Sequence, residues 1–211
     1  MWVCYPLGDE APEFPPAALD ALRQPLESGV ISIHRANAVA HFPARFQLVM
    51  AANPCPCGQY GAVDSDCVCS PHVRRRYLAR LSGPLMDRID VRFRMSRVTA
   101  VRLRLGGEFP TVSSELARRR VTGARLAAAE RLAGTPWRLN SEVPGAWLRG
   151  TARRMPPSTT ASIDRALERG GLTMRGYDRV LRLGWSIADL AGDTTPTADD
   201  IGRALYLRRA L

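Results

Sequence analysis

The sequence predicts an α/β region followed by an all-helical region, with a cysteine-rich loop set inside the first. Three observations carry this. Apolar runs with strand character end by residue 95, and every later segment has helical periodicity. Four cysteines crowd into one polar, glycine-containing stretch, "AANPCPCGQYGAVDSDCVCS" (51–70).

The elements follow in order. "PPAALDALRQPLES" (15–28) reads as a helix with prolines at its start and Gly29 after its end. Pro25 interrupts its second half by removing a backbone donor. "VISIH" (30–34) alternates as a strand does, and "RFQLVMAA" (45–52) is apolar enough for a buried strand. Between them "RANAVAHFPA" (35–44) reads as a hairpin connection. "HVRRRYLARLSG" (72–83) is a helix with Val73, Tyr77, Leu78 and Leu81 on one side. "DVRFRM" (90–95) alternates with period two and reads as a strand. "SSELARRRVTGARLAAAERLAG" (113–134) is a helix capped by Ser113 or Ser114 and stopped at Gly134. Another helix, "PSTTASIDRALERGG" (157–171), also ends on glycine. "TMRGYDRVLRLGWSIADLAGD" (173–193) places Tyr177, Val180, Leu181, Gly184, Ile187, Ala188 and Ala191 on one stripe. "TADDIGRALYLRRAL" (197–211) opens with Thr197 and two aspartates, which suit the positive end of a helix.

At 211 residues and 45% hydrophobic content the chain can bury a sizeable core, as one domain plus a smaller one. No apolar run is long enough to span a bilayer. "MWVCYPLGDE" has neither the basic start nor the apolar segment of a signal peptide. These readings place the chain in a reducing cytoplasm, where clustered cysteines bind metal more often than they form disulfides. The net charge is +10 and all thirty basic residues are arginine. Planar guanidinium groups suit phosphate, so acidic partners such as nucleic acid are expected. Without lysine, these residues cannot contain the phosphate loop G-x-x-x-x-G-K-[ST].

Cys55, Cys57, Cys67 and Cys69 are spaced C-x-C-x9-C-x-C. Four thiolates close a tetrahedral zinc site, and such a site folds a segment that lacks its own core. Gly58 and Gly61 supply the turns of a knuckle. Four sulfurs leave no position for water, so the zinc would be structural. Four unligated thiols, disulfides under oxidation, or His72 in place of one cysteine are the alternatives. Cys4 stands apart.

Three stretches together resemble one family. "DEAPEFPPAALDALRQPLESG" (9–29), "AANPCPCG" (51–58) with "CVCSPHVRRRYLARLSGPLMDRIDV" (67–91), and "LTMRGYDRVLRLGWSIADLAG" (172–192) are similar to the magnesium-chelatase-like AAA+ ATPases of the ComM (YifB) type. The resemblance runs from Asp9 almost to the carboxyl terminus. It implies a partial AAA+ P-loop ATPase core with an incomplete parallel sheet over residues 9–96, including the cysteine-rich loop 53–72. A helical lid domain over 97–211 follows, and 1–8 stay unmatched. It also implies ATP-driven DNA remodelling, with branch migration, by a cytosolic ring.

The likeness assigns roles to residues. Asp9 would hold magnesium through water and Glu10 would orient the attacking water. Asn53 would sense the γ-phosphate, Arg88 would be the finger reaching a neighbouring subunit's nucleotide, and Arg175 would be the lid's sensor. The hairpin bearing His34 and Arg35 would face DNA. Local readings stand beside these roles. Asn53 with Pro54 makes a common turn, Arg88 could pair with Asp87 or Asp90, and Arg175 could be an ordinary exposed helix arginine. The triplets 74–76 and 118–120 are ordinarily solvated faces, with phosphate tracking as the alternative.

The chain departs from the family at its start. The phosphate loop is absent, and Pro6 and Gly8 argue against a strand before Asp9. The expected parallel sheet therefore has two or three strands, with exposed edges and an uncovered apolar face. The resulting expectation is a truncated ATPase fragment with structural zinc. It would use ATP and magnesium only when another polypeptide supplies the phosphate loop. DNA, like copies in a ring, or a complementing amino-terminal half are the expected partners. A zinc-containing nucleic-acid-binding module without ATP is one alternative. A subunit of a magnesium-chelatase-type metal-insertion motor is another, and the C-x-C pairs count against it.

Overall fold

Residues 7–36, 38–61, 66–95, 112–150 and 154–209 are described by the structure, a computed structural model. The chain divides into two units, Met1–Ile89 and Asp90–Leu211. The expected domain boundary between 96 and 97 lies outside the described residues.

In the first unit, β1 (Leu7–Gly8) pairs in parallel with β4 (Val49–Met50), Leu7 opposite Val49 and Gly8 opposite Met50. Strand formation at Leu7 and Gly8 overturns the expectation drawn from Pro6 and Gly8. Two residues need only be extended to make this short ladder, and a missing proline donor matters to a longer one. The strand expected over 45–52 contracts to Val49–Met50. Among the described residues the parallel sheet thus has two strands, within the small size expected. The helix expected over 15–28 splits into α1 (Pro16–Ala21) and α2 (Arg23–Ser28). The split puts Pro25 in the first turn of α2, where a helix leaves its N–H groups without internal partners. Gly29 ends α2 in the left-handed conformation (φ 68°), its N–H donating to the Pro25 carbonyl at 2.8 Å.

β2 (Val30–Arg35) and β3 (Ala38–Pro43) form an antiparallel hairpin, with Ile31 opposite Phe42 and His34 opposite Val39. The expected connection is thus itself a strand. Opposite residues share a face, so Ile31, Ile33 and Phe42 line one side, and each is exposed. Ser70 caps α3 (Pro71–Leu78), accepting from the Val73 N–H at 3.3 Å. Ser82 caps the short α4 (Gly83–Met86) and donates its hydroxyl to Asp20 at 2.6 Å. The helix expected over 72–83 thus ends early, at Leu78, and α4 begins where it was expected to stop. Among the described residues, the buried apolar side chains of this unit are Ala11, Pro12, Leu19, Pro25, Cys55, Tyr77 and Leu85. So thin a core needs a further tie.

The second unit is helical: α5 (Ser114–Arg131), α6 (Gly145–Leu148), α7 (Pro157–Glu168), α8 (Met174–Ala191) and α9 (Ala198–Arg209). α8 is its axis, packed by α5, α6, α7 and α9. Its buried face holds Tyr177, Val180, Leu181, Gly184 and Ala188 as expected, but also Trp185 and Asp189, while Ala191 is exposed. Gly184 lets α9 approach, because a Cβ there would stand 2.5 Å from Ile201 Cδ1. Thr197 and Asp200 form a reciprocal cap on α9. The Thr197 N–H and hydroxyl each donate to Asp200 Oδ2 at 2.8 Å, and the Asp200 N–H returns to Thr197 Oγ1 at 3.2 Å. "DVRFRM" does not form the expected strand. Instead the Arg92 N–H donates to the Leu207 carbonyl at 2.7 Å, an acceptor in the last turn of α9.

Candidate nucleotide edge and cysteine centre

β1 and β4 run in the same direction, so the residues that follow them emerge at one sheet edge. Asp9 and Glu10 follow β1, and Asn53 stands three residues beyond β4. The Ala11 N–H continues the ladder to the Ala51 carbonyl at 2.8 Å, which keeps the two departing chains side by side. The carboxyl edge of parallel strands is where open α/β sheets bind ligands. Glu10 adopts φ 50° and ψ 45°, the left-handed region, and is the non-glycine residue with positive φ among the described residues. Such a conformation costs on the order of 1 kcal/mol or more and clusters at working sites. Its N–H donates to Asp9 Oδ1 at 3.0 Å. Asp9, Glu10 and Asn53 are exposed.

Directly after Asn53 the chain enters the cysteine centre. The metal-ligating atoms of Cys55, Cys57, Cys67 and Cys69 all lie within 4.8 Å of one another. Sγ of Cys55 is 3.3 Å from that of Cys57 and 3.8 Å from that of Cys67, and Cys57 and Cys67 are 3.6 Å apart. Disulfide sulfurs lie about 2 Å apart, so these are four separate thiols. The corners of a tetrahedron with Zn–S bonds of about 2.3 Å are about 3.8 Å apart. The observed spacing therefore fits a tetrahedral ion, and His72 is not part of the group. Gly58 makes the first turn at φ 71°, its N–H donating to the Cys55 carbonyl at 2.9 Å. A Cβ at Gly58 would sit 3.7 Å from Cγ of Asn53, so the Asn53 side chain rests against this turn.

The four thiols are electrostatically unequal. Burial opposes ionisation of Cys55, but the Tyr60 N–H, donating to its Sγ at 3.4 Å, and hydrogen bonds from Cys57 and Cys67 bring it down to about 6. The Cys57 backbone favours a Cys69 thiolate, yet the neighbouring thiols and burial outweigh it and push Cys69 up to about 11. Cys67 is likewise raised: its neighbours and burial prevail over a hydrogen bond from the Cys69 backbone. Ionisation of one thiol thus opposes ionisation of its neighbours.

Arg88 sits just after α4, its side chain 10% exposed. It pairs with Glu27 of α2 and donates to the Pro84 carbonyl at 2.8 Å. His34 and Arg35 end β2 at the exposed hairpin tip, and on the same face as His34 the Ser32 hydroxyl meets His41 Nδ1 at 2.9 Å. Arg175 belongs to the second unit. It is exposed in the first turn of α8, two residues after the Thr173 cap.

Sequence reasoning missed Arg74 as a neighbour of the cysteines. Within the solvated triplet 74–76 it alone is half-buried, and it donates to the Cys69 carbonyl at 2.8 Å. The signal was present, since a helix beginning directly after Cys69 returns its first turn toward that residue. Glu27 as the partner of Arg88 had no local signal, being sixty-one residues away.

Two family models match. "Magnesium chelatase, subunit ChlI" covers residues 7–103, and "Magnesium chelatase, subunit ChlI C-terminal" covers residues 111–208. An uncharacterised protein of Mycobacterium tuberculosis is 47% identical over 206 residues, 95% of this chain and 39% of that protein. The competence protein ComM of Haemophilus influenzae is 38% identical over 202 residues, and the uncharacterised protein YifB of Escherichia coli 34% over 200 residues. Each match spans 95% of this chain and 38% of the relative. The chain thus spans about two fifths of the length of the curated relatives it matches. It belongs to the magnesium-chelatase-like family that includes ComM and YifB.

Proposed function

We propose that this chain supplies the metal- and water-ordering edge of an AAA+-type ATP site, working in a ring that remodels DNA. The observation that carries the reading is the parallel register of β1 and β4, which delivers Asp9, Glu10 and Asn53 to one carboxyl edge. Asp9 offers the hard oxygen that magnesium takes, directly or through water. Glu10 is the base that orients the attacking water, and its left-handed backbone is the strain that working sites tend to hold. Asn53 contacts the γ-phosphate. Arg88 acts on a neighbouring copy's nucleotide, which requires the phosphate to replace Glu27 as its partner. A cation at the start of α8 opposes the helix dipole, a cost consistent with Arg175 serving an anion. His34 and Arg35, at the hairpin tip, meet the DNA backbone.

These residues contain no lysine, so the phosphate-gripping ammonium comes from residues outside them. Zinc on Cys55, Cys57, Cys67 and Cys69 contributes structure alone: it closes the loop that follows Asn53 and ties a unit with few buried side chains.

The test is complementation. The purified chain is mixed with a lysine-containing phosphate-loop segment taken from a relative, and phosphate release from ATP is followed with DNA present. Turnover appears only in the mixture, and Glu10→Gln lowers it at least about 100-fold, the scale of losing a positioned base. Turnover in the mixture that Asp9→Ala and Glu10→Gln both leave unchanged would contradict the assignment.

A further inference from the structure

We propose that Arg74 is the positioning residue that locks the two halves of the cysteine centre together around its metal. The inference rests on the metal reading above and adds a part to it. The loop has two knuckles: Cys55 and Cys57 in the first, Cys67 and Cys69 in the second. One side chain of α3 touches both. Nη1 of Arg74 donates to the Cys69 carbonyl at 2.8 Å, while its guanidinium carbon lies 3.9 Å above the centre of the Tyr60 ring. Tyr60 in turn donates its backbone N–H to Cys55 Sγ at 3.4 Å. Arg74 therefore connects the backbone of the last ligand to the residue that supports the first.

The chemistry requires arginine. A planar guanidinium stacks on a ring by its face while donating in its plane, and an ammonium cannot do both. The platform is also rigid at the right place. Ser70 caps α3 directly after Cys69, and the Arg74 N–H donates to the Ser70 carbonyl at 3.1 Å. Four thiolates around a divalent ion leave two negative charges, and the Arg74 cation stands beside them. Arg75 and Arg76, next on the same helix, are exposed. They carry the same charge without this placement and serve as internal controls.

Outer partners of a metal site typically contribute about 10–100-fold in affinity. The experiment titrates cobalt(II), then competing zinc, into the reduced full chain, with affinity read from the tetrahedral thiolate absorption and a chromophoric chelator. Wild type should show the four-sulfur cobalt spectrum. Arg74→Ala should bind about 10–100-fold more weakly, and Arg75→Ala should match wild type. Arg74→Lys keeps the charge and the helix, and should still lose affinity. If Arg74→Ala does not fold, Arg74→Lys and Tyr60→Leu carry the comparison. A wild-type chain without the tetrahedral cobalt spectrum would overturn the metal reading and the clamp with it. A normal wild-type spectrum with undiminished affinity in Arg74→Ala or Arg74→Lys would overturn the clamp alone. Equal losses in Arg74→Ala and Arg75→Ala would overturn it in favour of diffuse charge.

Discussion

Asp189 is a buried carboxylate on the apolar face of α8, and its surroundings explain how that is tolerated. Arg131 reaches it with both guanidinium nitrogens, Nη2 to Oδ2 at 2.9 Å, and Asn140 Nδ2 donates to the same oxygen at 2.8 Å. Asn140 also accepts from Arg131 at 2.7 Å and donates to the Ser186 hydroxyl at 3.1 Å. The guanidinium lies 4.2 Å from the centre of the Trp185 ring. Removing one partner of a buried pair leaves the other charge uncompensated, which costs about 3–5 kcal/mol. Asp189→Ala should therefore lower the unfolding free energy of the helical unit, read from urea melts, by about 3–5 kcal/mol, and a loss below about 1 kcal/mol would show the network to be dispensable. The sequence made Ile187 and Ala188 legible on this stripe but not Asp189, because a helical pattern marks polar positions as surface. Only the distant Arg131 and Asn140 reverse that reading.

At the scale of elements, α7 and α8 are joined by a titratable contact. The Tyr177 hydroxyl donates to Asp164 Oδ1 at 2.8 Å, and the Thr160 hydroxyl donates to Oδ2 of the same carboxylate at 2.8 Å. Burial, then the Asp164 hydrogen bond and charge, push Tyr177 up to about 12. The unfolded chain ionises this phenol near 10, so between the two values the unfolded state binds fewer protons. The contribution is fully present below about pH 10 and is lost as pH rises through about 12. Stability of wild type should fall across that window more steeply than that of Tyr177→Phe, measured by urea melts at each pH. Parallel curves would show that the pair does not report on folding. Cap and stop residues made helices legible: Ser113 caps α5, Gly134 follows its end and Gly29 ends α2. Strands were harder. Alternation in "DVRFRM" measures apolar spacing and not the presence of a neighbouring edge, and its backbone found the end of α9 instead.

For the whole molecule, the candidate site divides into a legible part and a hidden one. The cysteine pairs were legible because metal ligands are few in type and their spacing is local. Asp9, Glu10 and Asn53 were legible only through the family's motifs, since nothing local says that two short strands will lie parallel forty-two residues apart. The left-handed Glu10 and the support of Asn53 by the Gly58 turn needed coordinates. On the proposed reading, β1, β4 and the cysteine centre would form one edge of a nucleotide site, and the absence of lysine from these residues defines what that edge would need from elsewhere. The most direct measurement is calorimetric titration of magnesium-ATP into the purified, zinc-loaded chain. Binding weaker than about 1 mM, near 4 kcal/mol, is the expected result, because no ammonium or glycine-rich cradle grips the phosphates. Stoichiometric binding at micromolar concentration, lost in Asp9→Ala, would contradict it and place a complete nucleotide site within these residues.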